Sequence, residues 1–494
     1  MTIVLMLAAA FIVGWAAGSR SAFSKLVMSR QNSELNINVK ISGDVKNSLF
    51  DVRLNPDELG EIMQKGNRIK VIDAKKFIDK AGPVSPDKVF LIGRDGIAAE
   101  LEYGKLEGSF FTINDEGLCF LTRNFPVNTQ IKGIEEIIVK GDEKVLADRV
   151  SGGIFVIQGD ELSYKSPGEL LMLPYQRELF KVGESTRSVD GNEYKGVVYQ
   201  SRNLVSILSI LNAPARKIAA YSEEGDILYA DADARLQINS PHGLILHDAA
   251  GQMKKPIGIV ADPPASVITD VAEAILEKAE QGRKVMVVYI DGMGYEIYEK
   301  AKGKDCIPFL SSLGNPQKAL TVFPPITDVT YSSMVTGKTP AYTGIRSRGD
   351  SDLKCDTVFE TLSRSGKRCI VVEGNIKILK DDSATVLNID ENKDGFIDDE
   401  IFDSSLKQMK DRPDVMLVHF HSYDDLAHEY GPYSLKAMKQ LQIIDGWTEK
   451  LVGNWDGDII VTADHGLHEE GEGGNHGSFC PEDIFIPIIY SSKM

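Results

Sequence analysis

Cysteine is scarce in this chain. Five residues, Cys119, Cys306, Cys355, Cys369 and Cys480, are scattered over 494 positions, and no two stand in a CxxC. An odd, dispersed set argues against a disulfide framework and leaves the redox compartment open. Positive charge is also in deficit. Lys and Arg number 55 against 72 Asp and Glu, a formal net charge of −17. Such a body repels phosphate backbones, so duplex nucleic acid is not an expected partner. A small phosphate ester is still compatible, because bound metal ions supply local positive charge. With 43% hydrophobic and 26% charged residues, wholesale disorder and collagen-like repeats are excluded.

What the chain does have, at its start, is an uncharged apolar run. Residues 2–18 read TIVLMLAAAFIVGWAAG, just long enough to cross a bilayer as a helix. No Lys or Arg precedes it, whereas Arg20, Lys25 and Arg30 follow. The missing basic n-region favours an uncleaved anchor over residues 1–19 rather than a secretory signal, although Ala16-Ala17-Gly18-Ser19 could be cut. By charge alone the body would sit on the cytoplasmic side.

Residues 34–262 read as β-rich. Short apolar runs at 88–93, 117–121, 153–158, 195–199 and 243–247 are broken by Gly, Asn, Asp and Pro. Lys88–Gly96 followed by Ile113–Leu118 is echoed by Lys217–Gly225 followed by Ile238–Leu244. This predicts a duplicated β-rich α+β module, with copies at about 34–150 and 151–262. Asp262-Pro263-Pro264 marks a boundary, and Ser266 is expected to cap a helix carrying Val267, Val271, Ile275 and Leu276 on one face. Over 263–494 the texture changes. Continuous apolar strands at 285–290, 369–372, 415–420, 458–462 and 484–490 alternate with helical stretches at 357–365 and 433–452. That pattern predicts an α/β domain with a mostly parallel sheet sandwiched by helices.

The residues suited to chemistry collect at the C-terminal ends of those strands, where α/β sheets bind ligands. In VMVVYIDGMG, Asp291 ends a buried strand ahead of Gly292 and Gly294. A dinucleotide fingerprint fails there, because Ile297 holds the third glycine position and a carboxylate would meet pyrophosphate with like charge. A metal ligand suits Asp291 better. In FPPITDVTYSSMVTG, Thr327 stands where a strand gives way to a helix. It is either a plain N-cap or a nucleophile aimed at an anionic phosphorus centre. In YDDLAHEYGP, Asp424 and His428 are spaced i, i+4 and project one way from a helix. In VTADHG, Asp464 and His465 close a strand, and His476 follows a Gly- and Glu-rich loop. This mixture of carboxylate and imidazole suits zinc.

Taken together, these motifs resemble the alkaline phosphatase superfamily, and within it the type I phosphodiesterases and nucleotide pyrophosphatases. The resemblance covers roughly residues 282–494, with all motifs in the family's order. It implies an alkaline phosphatase-like sheet and two divalent metal ions, zinc for preference, with Mn2+ or Mg2+ as alternatives. One ion would be held by Asp291, Thr327, Asp464 and His465, and the other by Asp424, His428 and His476. Thr327 would be the nucleophile, ten residues before Gly337. Relatives place a phosphate-holding donor three residues after the nucleophile, and here that position is Thr330. The implied reaction is an in-line displacement clamped by two metals, through a phospho-threonine. The resemblance also favours an extracytoplasmic body.

Two further segments attract notice. Asp382-Ser383-Ala384 mimics the nucleophile of classical alkaline phosphatases but lies away from a strand-to-helix junction. Residues 390–403 resemble half a calcium loop, with Asp390, Asn392, Asp394 and Asp398 as candidate Ca2+ ligands, but position 12 is Ile401 and the acid is displaced to Glu400. The expected function is therefore metal-dependent hydrolysis of phosphodiester or pyrophosphate bonds on a small phosphate ester. The alternatives are a phosphomonoesterase, phosphonate hydrolase or phospho-transferase on the same site, and, from another class, a non-catalytic membrane-anchored binding protein.

Overall fold

Strand burial explains the architecture of the C-terminal part. Val285–Ile290, Val415–Phe420 and Asp458–Thr462 are buried at every position, which requires cover on both faces of their sheet. The computed structural model describes residues 35–492 apart from 65, 143–151, 190–191, 241–242 and 250. The expected anchor at 1–19 lies outside these residues. Among the described residues no helix is long and apolar enough to cross a membrane.

An eight-stranded sheet carries the site. Its strands are β1 (Ser266–Val267), β2 (Val285–Ile290), β3 (Gln317–Leu320), β4 (Cys369–Glu373), β5 (Thr385–Leu387), β6 (Val415–Phe420), β7 (Asp458–Thr462) and β8 (Phe485–Ser492). Their spatial order is β1-β3-β8-β7-β2-β6-β4-β5. Strand β2 pairs in parallel with both β6 and β7, and β4 runs parallel to β5 and β6. Strand β8 is antiparallel to β3 and β7, so the sheet is mixed. The longer helices are α1 (Asp270–Glu280), α2 (Tyr295–Gly303), α3 (Thr327–Thr336), α4 (Val358–Arg364), α5 (Asp398–Met409), α6 (Ser422–Tyr430) and α7 (Leu435–Asn454). One core joins β2, β6 and β7 to Val271 and Ile275 of α1, Ile297 of α2, Met334 of α3 and Leu441 of α7.

One local expectation fails. Ser266 does not cap α1. It opens β1, and its hydroxyl donates to Gln317 Oε1 at 3.0 Å, while α1 starts only at Asp270. β-branched Val267 pairs with Leu320 at the sheet edge instead of riding the helix.

The chain forms two compact units, residues 35–154 with 164–205, and residues 155–163 with 206–492. In the first, Lys40–Gly43 runs parallel to Ile134–Gly141, which pairs antiparallel with Pro86–Gly93, and that in turn with Ala98–Glu102. In the second, Phe155–Gln158 runs parallel to Pro256–Ala261, which pairs antiparallel with Lys217–Ser222, and that in turn with Ile227–Asp231. Strand order and relative direction are the same in the two arrangements.

Candidate metal centre

Register places these side chains. Tyr289 pairs with both His419 and Thr462, so β2, β6 and β7 end level with one another. The residues just past those ends therefore meet. Asp291, Asp464 and His465 form one group whose potential ligand atoms all lie within 4.8 Å of each other, and Asp424, His428 and His476 form a second. The two groups adjoin, because the rings of His465 and His476 stack 3.7 Å apart.

Glycine makes the approach possible. Gly292 adopts φ +73, and a Cβ there would lie 2.8 Å from Asp424 Oδ1. Its N–H donates to Asp464 Oδ1 at 2.9 Å. Asp464 is fully buried and Asp291 is 5% exposed.

Each imidazole is tethered on one nitrogen and aimed with the other. His465 Nδ1 is 3.1 Å from the Gly466 carbonyl, His428 Nδ1 is 2.9 Å from the Gly474 carbonyl, and His476 Nδ1 is 2.8 Å from the Pro325 carbonyl. A carbonyl only accepts, so Nδ1 donates to it in each ring and Nε2 is the nitrogen that faces inward. Metal-binding histidines are oriented in this way. His428 Nε2 faces Asp424 at 3.3 Å, and His465 Nε2 faces Asp464 at 3.2 Å and Asp291 at 3.6 Å.

The donor set fits divalent cations. Among the described residues, Asp291 Oδ1, Asp464 Oδ2 and Asp424 Oδ1 are buried without a hydrogen-bond partner. Orphaned buried carboxylate oxygens are costly unless a cation meets them. Burial, then the neighbouring Asp291 charge, pushes the Asp464 carboxyl well above the usual carboxylate range. Burial acts the same way on Asp291, but the facing imidazoles of His419 and His421, together with His465, outweigh it and hold that carboxyl well below its ordinary value. Burial, reinforced by His465, pulls His476 down to about 3, so its ring is neutral and available as a ligand.

Thr327 opens α3, and its Oγ1 lies 3.4 Å from His465 Nε2. A ten-residue helix therefore points its positive end at this point. The Thr330 expectation is corrected. That side chain is fully buried, and its hydroxyl donates to the Ile326 carbonyl at 2.9 Å and lies 3.1 Å from the Thr327 carbonyl. Backbone carbonyls one turn back absorb the hydroxyl, as they commonly do for threonine inside a helix.

The calcium reading also changes. Asp398 is fully buried, and its carboxylate accepts from the N–H groups of His421 (2.9 Å) and Ser422 (3.1 Å), and from the Ser422 hydroxyl. It braces the turn into α6 and is not free to serve the loop. Asp390 accepts from the N–H groups of Lys393, Asp394 and Gly395, and Asn392 Oδ1 accepts from the Asp394 N–H. Asp394 Oδ1 in turn accepts from the Phe396 N–H. The acidic turn thus holds its own backbone.

Four residues at the site were not foreseen. His419 and His421 flank the end of β6, and Glu373 ends the neighbouring β4. The run Val415–Ser422, VMLVHFHS, holds the signal for the first two, because a histidine is unusual in a strand buried at every position. Glu373 became visible only once β4 was known to lie beside β6. Arg348 places a guanidinium nitrogen 3.4 Å from His476 Nε2, in a loop held by the Gly349 N–H donating to Asp328.

These groups invite comparison with known proteins. Residues 371–484 match the type I phosphodiesterase / nucleotide pyrophosphatase family. The match agrees with the resemblance carried by the motifs. It contains Asp424, His428, Asp464, His465 and His476, whereas Asp291 and Thr327 lie before it. Phosphonoacetate hydrolase from Sinorhizobium meliloti 1021, in complex with phosphonoformate, is similar at 22% identity and a TM-score of 0.32, over 37% of this chain and 56% of that one. Murine ectonucleotide pyrophosphatase / phosphodiesterase 5 is similar at 19% identity and a TM-score of 0.33, over 38% of this chain and 59% of that one. The chain thus spans less than two thirds of either solved structure. No curated protein matches it significantly.

Proposed function

We propose that this chain is a phosphoesterase that hydrolyses phosphodiester or pyrophosphate bonds, with Thr327 as the nucleophile. The observation that carries the reading is the position of the Thr327 hydroxyl. It sits at a helix N-terminus, 3.4 Å from His465 Nε2, beside buried carboxylate oxygens that lack hydrogen-bond partners.

Asp291, Thr327, Asp464 and His465 would hold one divalent ion, and Asp424, His428 and His476 a second, with zinc suited to this donor mixture. Such ions supply Lewis acidity toward the phosphorus centre and the ester oxygens. The chain's own groups do the rest. The N-terminal end of α3 favours an anion next to the Thr327 hydroxyl. His465 Nε2, 3.4 Å from the Thr327 oxygen, would share the first ion with it and so fix where that oxygen stands. Arg348 offers a cation to a phosphoryl oxygen, in a planar geometry suited to that contact. His476, with its proton fixed on Nδ1 toward Pro325, acts as a ligand and not as an acid.

The proposal extends to location. An extracytoplasmic body behind an N-terminal anchor rests on the sequence of residues 2–18 and on the family resemblance. The substrate class is tested on the zinc-loaded full chain with bis-p-nitrophenyl phosphate against p-nitrophenyl phosphate. A higher kcat/KM on the diester supports the reading. Monoester preference would move the function to a phosphomonoesterase or phospho-transferase on the same residues.

A further inference from the structure

The segment that follows His465 carries a cluster that the proposed reaction does not use. His468, Cys480 and Asp483 present one potential ligand atom each, all within 4.8 Å of one another. None of the three belongs to the two groups assigned above. Among the described residues, no other such cluster contains sulfur.

His468 opens the hairpin His468–Glu470/Gly473–Asn475, and Cys480 and Asp483 lie in the turn that leads into β8. His468 Nδ1 stands 2.9 Å from Asp483 Oδ1 and 3.8 Å from Cys480 Sγ. One ring nitrogen thus meets an oxygen and a sulfur together, and a single proton on it can point at only one of them. The carboxylate is held from behind. Asp483 is fully buried, its Oδ2 accepts from the Ser478 N–H at 2.9 Å, and its carbonyl accepts from the Gly466 N–H at 3.1 Å. Such backbone support orients a ligating carboxylate. Cys480 is 8% exposed and the His468 side chain 25%, so the sulfur is shielded while the imidazole gives an entry path. Imidazole nitrogen, thiolate sulfur and carboxylate oxygen are the donors of zinc sites, and three of them leave a fourth tetrahedral position to water.

We propose that His468 Nδ1, Cys480 Sγ and Asp483 Oδ1 bind a thiophilic divalent cation, Zn2+ foremost, at a site separate from the two groups described above. Sulfur and imidazole select against Mg2+ and Ca2+. The competing state is metal-free, with the imidazole hydrogen-bonded to Asp483 and raised above its ordinary value by it, and with the thiol pushed up by burial. Binding releases the thiol proton and the Nδ1 proton to solvent, so affinity rises with pH. The cation would fasten the hairpin to the turn before β8. That hairpin serves the second group, because His468 pairs with Asn475, the residue before His476, and the Gly474 carbonyl accepts from His428 Nδ1. Occupancy would therefore steady both imidazoles of the second group. This coupling rests on the two-metal reading, whereas the site itself does not.

The test titrates the full chain with Co2+ as a spectroscopic substitute for zinc, with bound metal counted by plasma mass spectrometry. The two groups described above hold no sulfur, so a thiolate-to-cobalt charge-transfer band in the near ultraviolet reports this site. We expect the band to saturate with one ion per chain, to be displaced by Zn2+, and to vanish in Cys480→Ser. The same variant should bind zinc at the second group about tenfold more weakly, as loss of an outer support typically does. Unchanged affinity there would overturn the coupling. Cobalt bound without the band would overturn the site while leaving the two-metal reading intact, and so would a band that persists in Cys480→Ser. A band with no cobalt beyond its own ion would support the site and overturn the two-metal reading, and no bound cobalt would overturn both. If Cys480→Ser does not fold, anomalous diffraction at the zinc edge on the wild-type chain decides. A peak between His468 and Cys480 supports the site, and its absence overturns it.

Discussion

The imidazole rings of His465 and His476 lie face to face, 3.7 Å between centroids and 12° from parallel. One follows the end of β7 and the other follows the short hairpin His468–Glu470/Gly473–Asn475. The stack therefore sets the spacing between the two ligand groups. Two charged rings could not share this contact cheaply, and the neutral one is His476.

Removing one acid should separate stability from activity. Asp464 is buried against Asp291, so in zinc-free protein its charge has no full compensation. Asp464→Asn should leave the Tm of zinc-free protein unchanged or raised. In zinc-loaded protein the same change should lower Tm and reduce turnover at least about a hundredfold. Calorimetry with and without chelator checks this, and an equal loss of Tm in both states would contradict it.

pH acts through His428. Its hydrogen bond with Asp424 raises the imidazole from 6.5 to about 9, with burial opposing. In metal-stripped protein the stabilisation is fully present below the unfolded value of 6.5 and is lost as pH rises through about 9. Tm of the stripped protein should fall over that interval, and Asp424→Asn should flatten the fall. Zinc affinity should change in the opposite direction, rising with pH, because the imidazole must release its proton to bind. Thermal melts and zinc titrations at matched pH values measure both slopes.

Gly292→Ala tests the close approach at the site. The backbone there is left-handed at φ +73, and a Cβ would sit 2.6 Å from Leu467 Cδ1 and 2.8 Å from Asp424 Oδ1. The backbone penalty alone is about 1–2 kcal/mol. Displacing Asp424 should add at least about a tenfold loss of zinc affinity at the second group. A variant with wild-type zinc affinity would show that Asp424 does not depend on that glycine.

Much of this site was legible before any fold was known. Buried parallel strands announce themselves as unbroken apolar runs, and β2, β6 and β7 end where those runs end. Asp291, Asp424, His428, Asp464, His465 and His476 followed, because ligands gather at such ends. Thr330 misled because spacing from Thr327 carries no information about which way a helical hydroxyl turns. Asp398 misled because a loop pattern cannot show that its carboxylate is taken by the turn at His421 and Ser422. Glu373 and His419 stayed hidden because their meeting depends on the order of strands 46 residues apart, which only the assembled sheet reveals.

The central claim is that Thr327 is the nucleophile of a metal-dependent phosphoesterase. Its most direct test is the rate of bis-p-nitrophenyl phosphate hydrolysis by zinc-loaded wild type and Thr327→Ala, with zinc counted on the same samples. The account predicts diester turnover that falls at least about a thousandfold in the variant, with the second group's zinc retained. Wild-type turnover in Thr327→Ala, at equal zinc content, would contradict it.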